Sequence, residues 1–210
     1  EPLAQLIEEQ GKALLPLGQL AAMHLDEEKG IVTVEDAWQG ACDIVAENIS
    51  DSAEVRKLLR RELWNAGELV SELIIDEKEA PEFLQYRDYS EPVRQLPPHR
   101  ILAMNRGEDK KALKINLRCP DEKLIAKVAQ KLNLKEQSPF YTYYHNALTD
   151  SYKRLLLPSL ERELRNELTE KAEKQAISVF AANLRQLLLT QPISGHTVLG
   201  LDPGYRTGCK

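Results

Sequence analysis

Asp202 is the residue of this sequence that is best placed for chemistry. It lies in the stretch 197–210, T-V-L-G-L-D-P-G-Y-R-T-G-C-K, where a short apolar run is closed by Pro203 and Gly204. This pattern predicts a buried strand and a tight turn, with the carboxylate at the strand tip, where α/β sheets present ligand-facing groups. Two-metal phosphoryl transfer needs several converging carboxylates, which one aspartate cannot supply. We therefore favour a turn-forming role for Asp202, and we predict no catalytic residue and no metal site.

A basic strip occupies the middle of the sequence. Residues 94–131 contain ten basic and four acidic residues, whereas the whole chain has a net charge of −5. This asymmetry can mark a phosphate-facing surface. A basic face docked against acidic helices, or a plain solvated surface, would give the same composition. The residues of this strip that we predict to contact nucleic acid are Arg94, Arg100, Arg106, Lys110, Lys111 and Lys114.

A second group of cations lies on a predicted helix over 51–66. Spacings of four place Arg56 beside Arg60 and Lys57 beside Arg61, as on a helix that contacts DNA phosphates. Acidic residues flank the group at Glu54 and Glu62, so we favour a solvated helix face.

Cysteine and histidine spacing gives no metal or nucleophile pattern. The three cysteines, Cys42, Cys119 and Cys209, are far apart and odd in number, which favours neither a disulfide framework nor a zinc site and suggests a reducing, cytoplasmic setting. The four histidines are isolated in the sequence, so we expect them to be surface or capping residues. No cofactor is predicted.

Composition places the chain among soluble globular proteins. It is 42% hydrophobic and 29% charged, and no run approaches the roughly 20 apolar residues that would span a bilayer. The first residues lack a basic segment followed by an apolar one, so no signal peptide is expected. The net negative charge argues against the whole chain being a nucleic-acid-binding module.

The elements that must position these residues are mainly helices. Thr33 and Asp36 form an N-cap pattern for a helix over 33–49. Further helices are expected over 51–66, 121–132 and 158–190, and Asp121 is expected to cap the helix over 121–132. A short β element is expected near 110–118, with 69–75 as its best candidate partner, whereas 68–98 is otherwise predicted to be irregular. The fold class is therefore a mainly α, multi-helix array with a long central helix and a short β element.

The predicted long helix carries apolar residues every four positions. A spacing of four advances the stripe by about 40° per step, so over its length it winds through about 280°. We expect such a helix to meet different partners along its length. The stripe consists of Leu160, Leu164, Leu168, Ala172, Ala176, Phe180, Leu184 and Leu188.

The stretch 197–210 resembles the start of the YqgF-type, RuvC-like domain of the Tex family of bacterial transcription accessory proteins. Further stretches that resemble the family follow in order along the chain. They lie at 1–4 (E-P-L-A), 38–41 (W-Q-G-A), 43–44 (D-I), 89–93 (Y-S-E-P-V), 99–100 (H-R), 103–107 (A-M-N-R-G) and 154–160 (R-L-L-L-P-S-L).

This resemblance implies a domain organisation. Residues 1–75 would be a helical, helix-turn-helix-like part of the N-terminal region, 76–135 an irregular connection with a short β element and a helix, and 136–196 the long central helices. Residues 197–210 would be the first strand of a truncated YqgF/RuvC-like domain. The helix-hairpin-helix modules and the S1 RNA-binding domain of the family would be absent from this chain.

The resemblance also implies a function. It identifies a non-enzymatic scaffold of a cytoplasmic, nucleic-acid-binding transcription accessory protein, which positions the RuvC-like and S1 domains. Expected partners are RNA or DNA, and RNA polymerase or other transcription machinery, without a membrane or a small-molecule substrate. Two alternatives stay open, namely part of a metal-dependent RuvC/RNase H-like nuclease that uses Asp202, and a protein-interaction module for the transcription machinery.

Overall fold

The first third of the chain is helical. The computed structural model describes residues 1–26, 30–191 and 194–201, and its first helices are α1 (Pro2–Glu9), α2 (Leu17–Ala22), α3 (Val34–Asp51) and α4 (Ala53–Ala66). The predicted cap of α3 is confirmed, because Thr33 Oγ1 accepts the Asp36 N–H while Asp36 accepts the Thr33 N–H. The helix after it was expected to be capped by Ser50 or Asp51, but Ser52 caps α4 and its Oγ accepts the Val55 N–H.

A three-stranded antiparallel sheet follows α4. Its order is β2 (Asp88–Pro92), β1 (Glu68–Leu73) and β3 (Leu113–Arg118), so the predicted pairing of β3 with the segment after α4 is confirmed. Strand β2 lies in a stretch predicted to be irregular. Its proline, Pro92, lies opposite Glu68 at the end of an edge strand, a place where a missing N–H does not interrupt a central ladder.

The remaining helices are α5 (Pro98–Asp109), α6 (Asp121–Lys131), α7 (Tyr141–Asp150) and α8 (Leu157–Leu188). A π-helical segment, Ser151–Leu156, joins α7 directly to α8, and Leu157 donates its N–H to Tyr152 O, five residues back. Pro158 would remove a hydrogen bond and clash with a carbonyl in a regular helix interior. The wider π turn lies just before it. The predicted start of a separate helix at Pro158 is therefore replaced by one continuous helical stretch.

One hydrophobic core gathers the helices and the sheet. It includes α1, α3, α4, the inner sheet face and one face of the stretch from Tyr144 to Ala172. Trp38 of α3 stacks on Tyr143 of α7 with ring centroids 4.3 Å apart. All of these residues belong to the compact unit Glu1–Glu173, while Lys174–Lys210 forms a separate unit.

The apolar stripe of α8 is buried in its first half. Leu160, Leu164, Leu168 and Ala172 are buried, whereas Phe180 is 66% and Leu188 is 74% exposed. We expected different partners to cover the stripe along its whole length. Among the described residues, the stripe is covered only as far as Ala172.

The predicted strand at 197–201 is not formed in the described part of the chain. These residues have no regular secondary structure, and Val198, Leu199 and Leu201 are exposed. A strand needs a neighbour to pair its backbone groups, so a role as the first strand of a further domain stays a prediction. The residues 202–210, with Asp202 and Cys209, lie outside the described residues. No described helix has the length and apolar character that crossing a bilayer requires.

Gly107 of α5 allows the helix to lie close to β3. A Cβ at this position would be 2.5 Å from Leu113 Cδ1 and 3.2 Å from Phe83 Cδ1, and both side chains are buried. We predict that Gly107→Ala lowers the free energy of unfolding by about 1–3 kcal/mol, because overpacking outweighs the better helix propensity of alanine.

Gly40 of α3 provides the matched control, since a Cβ there meets nothing within 4 Å. Gly40→Ala should raise the free energy of unfolding by up to about 1 kcal/mol. Urea denaturation followed by circular dichroism measures both variants. Equal stabilisation by the two substitutions would contradict the close contact of α5 with β3.

Candidate nucleic-acid interface

Arg100 of the basic strip is joined to the sheet. Its Nη1 donates to Tyr89 Oη at 2.5 Å and to Glu91 Oε2 at 2.9 Å, and its guanidinium lies 5.2 Å from the centre of the Tyr89 ring. The Tyr89 hydroxyl also donates to Glu91, and burial, together with this carboxylate, raises the pKa of Tyr89 to about 12. Arg100 therefore connects α5 to β2.

Lys110 is paired as well. Its Nζ lies 3.0 Å from Glu82 Oε1 and 5.4 Å from the centre of the Phe83 ring. Arg106, Lys110 and Lys111 lie at the C-terminal end of α5, where the helix dipole favours cations. Part of this positive charge therefore has a structural explanation.

The other four predicted residues of the strip are exposed and are spread over three parts of the fold. Arg94 lies in a short 3₁₀ turn before α5, Arg106 and Lys111 lie at the end of α5, and Lys114 lies on β3 opposite Glu72. Among the described residues none of the four has an ion pair. Their contact with nucleic acid stays a prediction.

A polar groove of about 780 Å³ lies between α5 and α8, beside Arg106. Arg162 and Arg165 line it too, and Arg165 pairs with Glu108 through both guanidinium nitrogens. Because its lining carboxylates, Glu108, Asp109, Glu161 and Glu173, outnumber the three arginines, the groove is not an anion site.

Helix α4 lies between two sets of ion pairs. On the α8 side, Arg60 Nη2 lies 2.8 Å from Glu167 Oε2, and Arg56 pairs with Glu163 and donates to Ser159 Oγ at 3.1 Å. On the α6 side, Lys127 Nζ lies 2.5 Å from Glu62 Oε2, and Lys131 Nζ lies 2.7 Å from Glu54 Oε2. For Lys127 and Lys131, the interpretation as a basic face docked against acidic residues matches the structure.

Glu62 is the least exposed of these carboxylates, with 13% of its side chain accessible. It accepts hydrogen bonds from Lys127 and from Arg61 Nη2, the latter at 3.2 Å. The hydrogen bond from Lys127, ahead of the contribution of Arg61, lowers the pKa of Glu62 below its ordinary value. Two cations thus share one carboxylate.

A partly buried polar cluster at the start of α6 was not predicted from the sequence. Asp121 was expected to cap α6, but its Oδ1 instead accepts the Tyr152 hydroxyl at 2.7 Å and the Cys119 thiol at 3.1 Å. Burial raises the pKa of Cys119 to about 11, so this thiol stays protonated near neutral pH. Burial also raises the pKa of Cys42 to about 11. Asp121 and Tyr152 are 31 positions apart in the sequence, and no spacing pattern links them, so the sequence gives no signal for this cluster.

Among the described residues no group of three or more His, Cys, Asp or Glu could hold a metal ion. His24, His99 and His145 lie on separate elements of that part of the chain. The carboxylate predicted to be of greatest chemical interest, Asp202, lies outside it.

Comparisons with known proteins give one consistent family. A family model described as Tex central region-like matches residues 15–180. The chain is 41% identical to the uncharacterized protein YdcI of Bacillus subtilis, over all of this chain and 29% of that protein. It is 37% identical to the transcriptional accessory protein Tex of Neisseria gonorrhoeae, over 87% of this chain and 25% of that protein.

A human protein is similar as well. The chain is 35% identical to the human S1 RNA-binding domain-containing protein 1, over 87% of this chain and 20% of that protein. The chain therefore spans less than a third of the length of the relatives it matches.

The pairing of Glu62 with Lys127 predicts a pH dependence of stability. Because the folded state lowers the pKa of Glu62, its ionised form favours folding above the ordinary value of 4.5, and this contribution is lost as the pH falls through the lower pKa of the folded state. We predict that Glu62→Gln reduces the loss of unfolding free energy between pH 6 and pH 3 by about 0.2–1 kcal/mol.

Urea denaturation at several pH values measures this difference against the wild-type chain. Lys127→Gln removes the main cause of the pKa shift from the other side, so it should flatten the pH dependence in the same direction. An unchanged pH dependence in both variants would contradict the ion pair.

Proposed function

The chain belongs to the Tex family, and from this premise we propose that it is a non-enzymatic scaffold in a transcription accessory protein that binds nucleic acid. The names of two relatives, a transcriptional accessory protein and an S1 RNA-binding domain-containing protein, support this class of function. They support an accessory factor rather than a classical enzyme.

The observation that carries the scaffold role is the attachment of α8 to three different elements. Its Glu163 and Glu167 pair with α4, its Arg165 pairs with Glu108 of α5, and its Glu161 accepts the Leu117 N–H of β3 at 3.1 Å. Burial of one face as far as Ala172 adds apolar contact with the core. A helix held from several sides has a defined direction and rotation, which a scaffold requires.

In this proposal the helix sets the position of the chain that follows it. The stretch 197–210 would begin a YqgF/RuvC-like domain, and the S1 domain of the family would be placed in turn. The domain bounds 1–75, 76–135 and 136–196 are part of the same proposal. Its partners would be nucleic acid and RNA polymerase or other transcription machinery in the cytoplasm, without a small-molecule substrate.

Helical phase tests the scaffold role. Two alanines inserted after Gln175 rotate the following chain by about 200°, whereas a seven-residue helical insertion rotates it by about 700°, which is about 20° short of two turns. We predict that the two-residue insertion reproduces the transcript changes caused by deletion of the gene, while the seven-residue insertion retains most of the function.

The measurement is transcript profiling of host strains that carry each variant at the chromosomal locus, with equal protein levels checked by immunoblot. Full function of the two-residue variant would show that the rotation set by the helix does not matter, and would overturn the scaffold role.

A further inference from the structure

The exposed side of α4 and the adjoining flank of α6 form a basic surface. We call this surface the α4–α6 ridge. It consists of Lys57, Arg61, Lys123, Lys127 and Lys131.

The two helices bring these cations together through their pairing. Lys127 pairs with Glu62, and Lys131, later in α6, pairs with Glu54, which is earlier in α4. The two helices therefore run antiparallel. Lys123, Lys127 and Lys131 recur every four residues, which places them along one flank of α6. On α4, Lys57 and Arg61 share the same spacing. Arg61 pairs with Glu62 and therefore lies beside the seam with α6, and Lys57 lies one turn before it on the exposed side of α4.

Carboxylates do not neutralise this ridge. Glu54 and Glu62 are the two that contact it, against five cations, and Glu62 already lies between Arg61 and Lys127. Lys57 and Lys123 are exposed and have no hydrogen bond or ion pair within the described ranges. Glu122 of α6 lies on the other flank, where it lines a groove with Ala126 and His145.

The α8 side of α4 is closer to balance. Arg56 pairs with Glu163, and Arg60 shares Glu167 with Lys171, whose Nζ lies 2.7 Å from Glu167 Oε1. The excess positive charge is therefore larger on the ridge, on a chain whose net charge is −5. A local excess of this sign on an acidic protein attracts polyanions.

The chemistry of the ridge favours a phosphate backbone over a protein partner. Protein interfaces have an apolar core, yet none of the large apolar side chains exposed in the described ranges lies on α4 or α6. Long cationic side chains in a row, without an apolar centre, are the usual contacts to nucleic-acid phosphates, and such contacts do not depend on sequence.

We propose that the α4–α6 ridge contacts the phosphodiester backbone of nucleic acid without reading its sequence. This inference rests on the proposed function, since it gives the scaffold a contact of its own with the nucleic acid. The ridge shares Lys123, Lys127 and Lys131 with the strip at 94–131, but the six residues of the strip that were predicted to contact nucleic acid lie on other elements.

Binding of the 210-residue chain to labelled 20-nucleotide single-stranded RNA and to 20-base-pair duplex DNA, across 50–300 mM salt, tests the ridge. The ridge variant is Lys57→Gln, Arg61→Gln, Lys123→Gln, in which Glu62 keeps Lys127 and Glu54 keeps Lys131. The control variant, Lys12→Gln, Lys78→Gln, Lys135→Gln, removes the same charge at exposed positions outside both the ridge and the predicted contacts of the strip. Circular dichroism and urea denaturation confirm that both variants are folded.

The wild-type chain and the control should bind at least one probe with a strong salt dependence. The ridge variant should lose on the order of 10- to 100-fold in affinity at 0.1 M salt, with a shallower salt slope, because each lost phosphate contact changes that slope by about 0.7–0.9. The RNA and DNA arms show which nucleic acid uses the ridge.

Three results would overturn the ridge: no binding by the wild-type chain at 50 mM salt, equal losses in ridge and control variants, or equally tight ridge-dependent binding of poly-L-glutamate. The last would identify a surface for acidic protein segments instead. The insertion variants in the host strain test the scaffold role independently. The binding experiment can therefore contradict the ridge proposal without contradicting the scaffold role.

Discussion

The structure depends on the burial of one face of a single helical stretch that runs from Tyr141 through α8. Apolar residues recur every four positions from Tyr144 to Ala172, and on a regular α-helix this spacing would turn the stripe steadily away from the core. A π turn contains more residues than an α turn, so the segment Ser151–Leu156 offsets part of this rotation. Tyr152 and Leu156 of that segment are themselves buried, and Pro158 follows directly. The π segment thus keeps one face towards the core across a proline.

Charge pairing adds direction to this apolar contact. Individual surface ion pairs stabilise proteins by little, but pairs that join α4 to α6 on one side and to α8 on the other fix the register of three helices. The same network explains why a count of cations is a poor guide to binding. Arg56, Arg60 and Arg100 have carboxylate partners within the fold, whereas the side chains of Lys57 and Lys123 have none among the described residues. The other three cations of the ridge, Arg61, Lys127 and Lys131, share the two carboxylates of Glu54 and Glu62, so the ridge keeps an excess of positive charge.

Local signals in the sequence predicted local structure. Four features were predicted, because each depends on residues close together in the chain or on a clear period. They are the capping box at Thr33, the alternation that gives β3, the pairing of β3 with the segment after α4, and the long helix. Strand β2 was missed because Pro92 and the irregular pattern around it resemble a loop, and the π segment has no period of its own. Asp121 was misassigned because its partner, Tyr152, is a helix away. The pairing of α4 with α6 and α8 could not be derived from spacing either, because it is set by how the helices pack. In the sequence, the cations of the ridge therefore belong to two groups with no visible connection.

Native-state hydrogen exchange along α8 tests most directly whether the core holds the long helix. Amides of residues 160–172 should exchange only through global unfolding, with the same opening free energy as the buried amides of α3, because one face of this half is buried and joined to α4, α5 and β3. Amides of 177–188, whose side chains are exposed, should exchange through smaller local openings. Exchange of 160–172 as fast as 177–188, while α3 stays protected, would contradict a helix held by the core and with it the scaffold role.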